Sequence, residues 1–104
     1  MKRDELLREI RLRLQVAFGR RLRGVVLYGS EARGAARADS DVDILVLLDG
    51  PVDLGRDLER SIDALYPLSL QIGRRISAKP VDADEYESVE CPLYSIAHRE
   101  GVGA

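Results

Sequence analysis

The sequence predicts an α/β (α+β) fold in which helices accompany a few β-strands. Three observations carry that prediction. Residues 4–18 place Leu7, Ile10, Leu14, Ala17 and Phe18 at helical spacing. Two short apolar runs, at 25–28 and 42–48, have the length and β-branched content of buried strands. A second helical stripe follows at Leu54, Leu58, Ile62 and Leu65.

Size and composition narrow the function classes. A chain of 104 residues buries only about two-thirds of its unfolded surface, so one domain spanning 1–104 is expected. The formal net charge is -2, and this balance gives no reason to expect direct nucleic-acid binding. The single cysteine, Cys91, excludes an internal disulfide framework and suits a reducing cytoplasm. It reads as a small packed side chain, because the sequence supplies no base beside it. No apolar run approaches a membrane span, and the Arg/Glu-rich start does not resemble a signal peptide. A cytoplasmic protein with no membrane partner is therefore expected.

In the first helix, Asp4 and Glu5 occupy the first turn and Arg20, Arg21 and Arg23 lie near the end, as the helix dipole favours. Those arginines could touch nucleic acid but read rather as a solvated helix end, and Gly19 or Gly24 can terminate the helix. Residues 24–28 form the first strand. Gly29 then permits a positive φ and close approach of a ligand to the backbone. Ser30 stands where it would cap a short helix over 31–37, and free N–H groups at a helix start bind anions. Arg33 and Arg37 could reach phosphate oxygens; Arg33 could equally pair with Glu31 or Asp39. Ser40 shapes the turn that leads into Asp41.

Asp41 and Asp43 are two residues apart at the start of the second strand, 42–48. Strand residues i and i+2 share a face, so both carboxylates should project together, roughly 6–7 Å apart along the backbone. That spacing suits one divalent cation, or two close ones. Val42 and Ile44 should face the core. Asp49-Gly50-Pro51 ends the strand, and Asp53 can cap the next helix. Pro67 conflicts with an uninterrupted helix and predicts a kink or break, with Gly73 as the final stop; residues 68–72 could alternatively be a strand. Residues 74–81 read as a third strand, with Ile76 and Ala78 on one face and Pro80 suiting an edge. Asp82 can cap a short helix containing Asp84, Glu85 and Tyr86. Pro92 opens a last helix through Leu93, Ile96 and Ala97 to Gly101. His98, the only histidine, lies near its end and reads as structural or solvated.

The order strand, Gly29-Ser30, ten residues, Asp41-x-Asp43, apolar strand resembles the polymerase-β-like nucleotidyltransferases. The segment GSEARGAARADSDVDILV, with Ala32, Arg33, Gly34, Ser40 and Asp41, resembles the minimal nucleotidyltransferase (MNT) domains, as does the ending HREGV. The resemblance covers nearly the whole chain. It implies a small mixed sheet of three to four strands flanked by helices, and transfer of AMP from ATP. It also implies Mg2+ held by Asp41 and Asp43, with catalysis on that pair, and a nucleoside triphosphate bound by Gly29, Ser30, Arg33 and Ser40. A minimal domain of this kind implies a separate helical HEPN-domain partner, as the antitoxin of a toxin–antitoxin pair that attaches AMP to a partner tyrosine. A homo-oligomer is the other assembly open to it.

The chain departs from the family pattern at one point. Full members carry a third carboxylate on the strand after the second helix. Residues 74–81 contain no acid, and Ser77 or Lys79 occupies the region. Either Asp82 or a partner supplies the acid, or the chain is a non-catalytic nucleotide- or partner-binding module. A transferase acting on a small molecule such as an aminoglycoside is the weakest alternative, since no substrate-recognition domain is evident.

Overall fold

The computed structural model describes residues 2–29, 40–88 and 102–103. Helix α1 (Arg3–Phe18) leads through a 3-10 turn (Gly19–Arg21) to strand β1 (Leu22–Tyr28). Strand β2 (Val42–Leu48), helix α2 (Leu54–Ile72), strand β3 (Ile76–Asp82), helix α3 (Ala83–Ser88) and the two-residue strand β4 (Val102–Gly103) follow. The fold is α+β, with a mixed sheet in the order β3-β2-β1-β4. Strand β2 runs antiparallel to β1 and parallel to β3. The expected short helix over 31–37, the last helix from Pro92, Cys91 and His98 lie outside the described residues.

The alternating residues of the strands separate two apolar layers, as a pleated strand requires. On one face, Val25 and Leu27 of β1 and Val42, Ile44, Val46 and Leu48 of β2 meet Leu6, Ile10 and Leu14 of α1 and Leu65 and Leu68 of α2. On the other, Val26, Leu45, Leu47 and Val81 meet Ala83 and Tyr86 at the start of α3. Helix α3 therefore covers one end of the second face, and Asp43 belongs to its other end, beside Tyr28 and Ser77 in the strand register.

Local signals set most boundaries. The Asp53 side chain accepts from the Arg56 N–H at 3.0 Å, capping α2. Gly73, at φ 68°, closes it in the left-handed region. Asp82 Oδ1 accepts from the Asp84 N–H at 2.8 Å and starts α3.

Two expectations are corrected. Helix α2 runs unbroken through Pro67. Pro67 and Asp63, whose carbonyl loses its donor, are both exposed, so water can serve that carbonyl. Burial of Leu65 and Leu68 on the opposite side, at about 1.5–3 kcal/mol each, offsets the ~3 kcal/mol cost of an interior proline. Of the arginines after α1, Arg20 and Arg23 are exposed as expected, but Arg21 is not a solvated helix end. Arg21 Nη1 and Nη2 donate to Asp57 Oδ1 and Oδ2 at 3.0 and 2.9 Å, and Arg23 donates to Asp49 at 2.8 Å.

Candidate active site

Asp43 occupies the second position of β2. The antiparallel register sets it opposite Tyr28, the last residue of β1, and the parallel register sets it opposite Ser77 of β3. Its side chain is half-buried, whereas Asp41, just before the strand, is exposed. Burial, and after it the charge of Asp41, raises the Asp43 pKa above the ordinary carboxylate value. The two carboxylates are therefore close enough to repel. Tyr28 is shifted upward as well, by burial and then by Asp43.

Gly29 closes the site on the β1 side. Its φ is 72°, a conformation that L side chains avoid. A β-carbon there would stand 2.9 Å from Asp43 Oδ2. Glycine thus serves two needs at one position: the turn out of β1 and the space for the carboxylate.

The segment before β2 is held by the segment before β3. The Arg74 side chain donates from Nε to the Ser40 carbonyl at 2.8 Å, and the Val42 N–H donates to the Arg75 carbonyl at 2.8 Å. The Ser69 hydroxyl in turn donates to the Arg74 carbonyl, and the Arg74 N–H donates to Ser69 O at 3.2 Å. The C-terminus of α2 is thereby tied to the backbone on which Asp41 stands. Arg74 had no role in the sequence reading. Its neighbour Gly73 was the available signal, because a left-handed helix stop turns the next residue sharply away.

Of the six site residues expected from sequence, Gly29, Ser40, Asp41 and Asp43 gather where β1 ends and β2 begins. Ser30 and Arg33 lie outside the described residues. The third-acid question is decided against Asp82. That residue pairs with Leu48, five positions along β2 from Asp43, or about 16 Å at the usual strand rise. It also has the opposite strand parity to Ser77, and its carboxylate caps α3. Ser77, directly beside Asp43, stands at the position where a third carboxylate would join the pair. Among the described residues no group of three His, Cys, Asp or Glu side chains is placed to hold a metal.

The donor set nevertheless fits a hard divalent cation with open coordination positions. Two carboxylates repel each other, one of them partly desolvated, and a side-chain-free Gly29 faces the carboxylate of Asp43. Oxygen donors of this kind, few in number, suit Mg2+ shared with phosphate oxygens.

A second charged pair has a different character. Asp57, on the inner face of α2, is 2% exposed. Besides the two bonds from Arg21 it accepts from the Asp53 N–H at 3.1 Å. The Arg21 guanidinium, chiefly through those hydrogen bonds, holds the Asp57 carboxyl below its usual range. Arg21 also donates to Pro51 O at 3.3 Å, so the pair joins the start of β1 to the β2–α2 connection. An acid in phase with Ser61, Leu65 and Leu68 was its trace in the sequence.

A family model for the nucleotidyltransferase domain matches residues 7–100. The chain belongs to the nucleotidyltransferase domain family. Comparison with curated proteins gives no match. A solved structure described as the crystal structure of a toxin-antitoxin with AMP-PNP is similar at a TM-score of 0.63 and 18% identity, over 90% of this chain and 68% of that one. That likeness establishes a shared fold. No helix among the described residues is long and apolar enough to cross a membrane.

Proposed function

We propose that this nucleotidyltransferase domain transfers AMP from Mg-ATP to a hydroxyl acceptor, a tyrosine of a HEPN-type toxin partner, and serves as the antitoxin of a cytoplasmic toxin–antitoxin pair. The observation that carries the reading is Asp43, held against the bare backbone of Gly29 and within the field of Asp41. The family match supports transferase chemistry. The similar structure, described as a toxin-antitoxin with AMP-PNP, supports an adenine nucleotide and a toxin partner.

Asp41 and Asp43 would hold the divalent cation, which when bound offsets negative charge on the α-phosphate and the departing pyrophosphate. Gly29 and Ser30 would hold the β/γ end through backbone N–H groups and a hydroxyl, with Arg33 and Ser40 completing the nucleotide site. The acceptor oxygen would form a bond to the α-phosphorus as its hydroxyl proton passes to water, the bond from that phosphorus to the bridging oxygen would break, and pyrophosphate would leave. Arg74 would keep Asp41 in place through Ser40. The chain's contribution is positioning and electrostatics.

Ser77 favours a second reading. A hydroxyl where a third carboxylate would stand suits a module that binds nucleotide or partner without transfer. Labelled ATP and magnesium, with and without the protein encoded next to this one, separate the two. Label on the partner that disappears with Asp43→Ala supports transfer. A stable complex that never takes label supports the binding module.

A further inference from the structure

Strand β3 is one edge of the sheet formed by the described residues, and its backbone phase can be read. The Arg75 carbonyl accepts from β2, so by alternation Arg75, Ser77, Lys79 and Val81 direct their hydrogen-bonding groups inward. Ile76, Ala78 and Pro80 direct theirs outward. Pro80 has no N–H to offer, which blunts the far half of the edge. In the near half, Ile76 and Ala78 direct donors and acceptors outward, and among the described residues no strand pairs with them.

Helix α2 overhangs this half. Leu58, Ile62, Leu65 and Tyr66 face Ile76 and Ala78 across a groove of about 400 Å³. Ile62 and Tyr66 are 50% and 59% exposed, more than residues of that size need be on a helix with an apolar side to bury. Open strand amides beside a matching apolar overhang are the two components of recognition by strand addition.

A second copy of the chain fits poorly. Two-fold pairing centred on Ala78 sets Pro80 against Ile76 of the other copy and loses a hydrogen bond at each end. Pairing centred on Ser77 avoids Pro80 but sets Lys79 directly opposite Arg75 twice, and like charges directly opposed destabilise a strand pair. Both side chains are exposed. The same charges specify a different occupant.

The geometry points to an extended segment of a partner protein, five residues with acids at the first and fifth positions and apolar residues at the second and fourth, docking as an added strand on Arg75 to Lys79. Its apolar side chains enter the groove under Ile62 and Tyr66, and its acids face Arg75 and Lys79. Its middle residue stands opposite Ser77, on the face of Asp43 and two strand spacings from it, about 9.6 Å. A tyrosine there directs its hydroxyl toward the carboxylate pair. That last step alone rests on the transferase reading.

The test uses the full chain and a labelled Glu-Val-Tyr-Val-Glu peptide, with binding followed by fluorescence anisotropy in the absence of nucleotide. Saturable binding is expected, weakened roughly tenfold or more by Arg75→Glu with Lys79→Glu, and regained by that variant with Lys-Val-Tyr-Val-Lys. N-methylation of the two valines keeps the charges but removes the paired donors, and should abolish binding. No binding, binding indifferent to the charge reversal, or binding that survives N-methylation overturns the proposal. So does a dimer of the chain alone, in sedimentation, that Ile62→Glu dissociates, since a second copy would then fill the groove. Binding without transfer of label from ATP leaves the docking site standing and counts against the transferase reading only.

Discussion

The space above the α-carbon of Gly29 belongs to Asp43: a β-carbon there would lie 2.9 Å from Oδ2 of the carboxylate. Backbone and acid are fitted to each other, so any side chain at 29 must move one of them. Gly29→Ala carries two costs. The left-handed φ of 72° is worth about 1–2 kcal/mol against alanine, and the contact pushes Asp43 out of line with Asp41. Thermal unfolding with and without Mn2+ should show a lower Tm and a weakened metal-induced rise. A variant that keeps the full Mn2+ response would mean that Asp43 is not confined by Gly29.

Asp43 should make the fold less stable at neutral pH than an uncharged residue would. Its folded-state pKa is raised, by burial first and by Asp41 second. A raised carboxyl costs nothing below the unfolded value near 3.8, and the cost appears as pH climbs through the folded value. Asp43→Asn should therefore melt above the parent at pH 7, with the difference closing as pH falls toward 3.8, and should lose the response to Mg2+ or Mn2+. Melting curves of both proteins from pH 3 to 8 check this. The protonation of Asp57 is common to both and cancels in the difference. An Asn variant no more stable than the parent at pH 7 would remove the argument that the site is strained to hold a cation.

Asp57 carries the opposite sign. Its folded pKa is lowered, chiefly by hydrogen bonds from Arg21. The stabilisation is present above the unfolded value near 3.8 and is lost as pH falls through the lower folded value. Asp57→Ala leaves the Asp53 N–H and the Arg21 guanidinium without their acceptor at a buried position. Because Arg21 is partly exposed, the loss should be about 2 kcal/mol, read as a fall in the urea midpoint at pH 7. As pH falls below 3.8 the gap between parent and variant should narrow. The response to Mn2+ should survive, since Asp57 belongs to a different connection.

The difference between what was and was not legible in the sequence follows the range of each interaction. Periodicity placed α1 over 4–18 against the observed Arg3–Phe18, and single-residue signals placed the caps at Asp53, Gly73 and Asp82. The Asp41-x-Asp43 pair and Gly29 were legible because adjacent strand and turn geometry brings them together. Arg21 and Asp57 are 36 residues apart, and nothing local links them. The identity of the neighbour of Asp43 needed the β2–β3 register, which spacing does not supply; Ser77 and Lys79 were equal candidates until that register was known. Pro67 misled for the reverse reason, because a local rule was overridden by the burial of Leu65 and Leu68.

Ser77 gives the most direct test of the missing carboxylate. It pairs with Asp43 across β2 and β3, so an acid there enters the same cluster without any change of backbone. Ser77→Asp should lower stability in metal-free buffer, because a third negative charge joins a pair that already repels. The same variant should bind Mn2+ at least roughly tenfold more tightly, since the added oxygen donor both ligates and relieves that repulsion. Its Tm should therefore lie below the parent in chelator and above it in excess Mn2+, and this crossing of the two curves is the measurement. If transfer of AMP from labelled ATP is slow in the parent, it should rise in the variant and vanish again on adding Asp43→Ala. A Ser77→Asp protein that is destabilised under both conditions would show that this register position does not face the carboxylate pair.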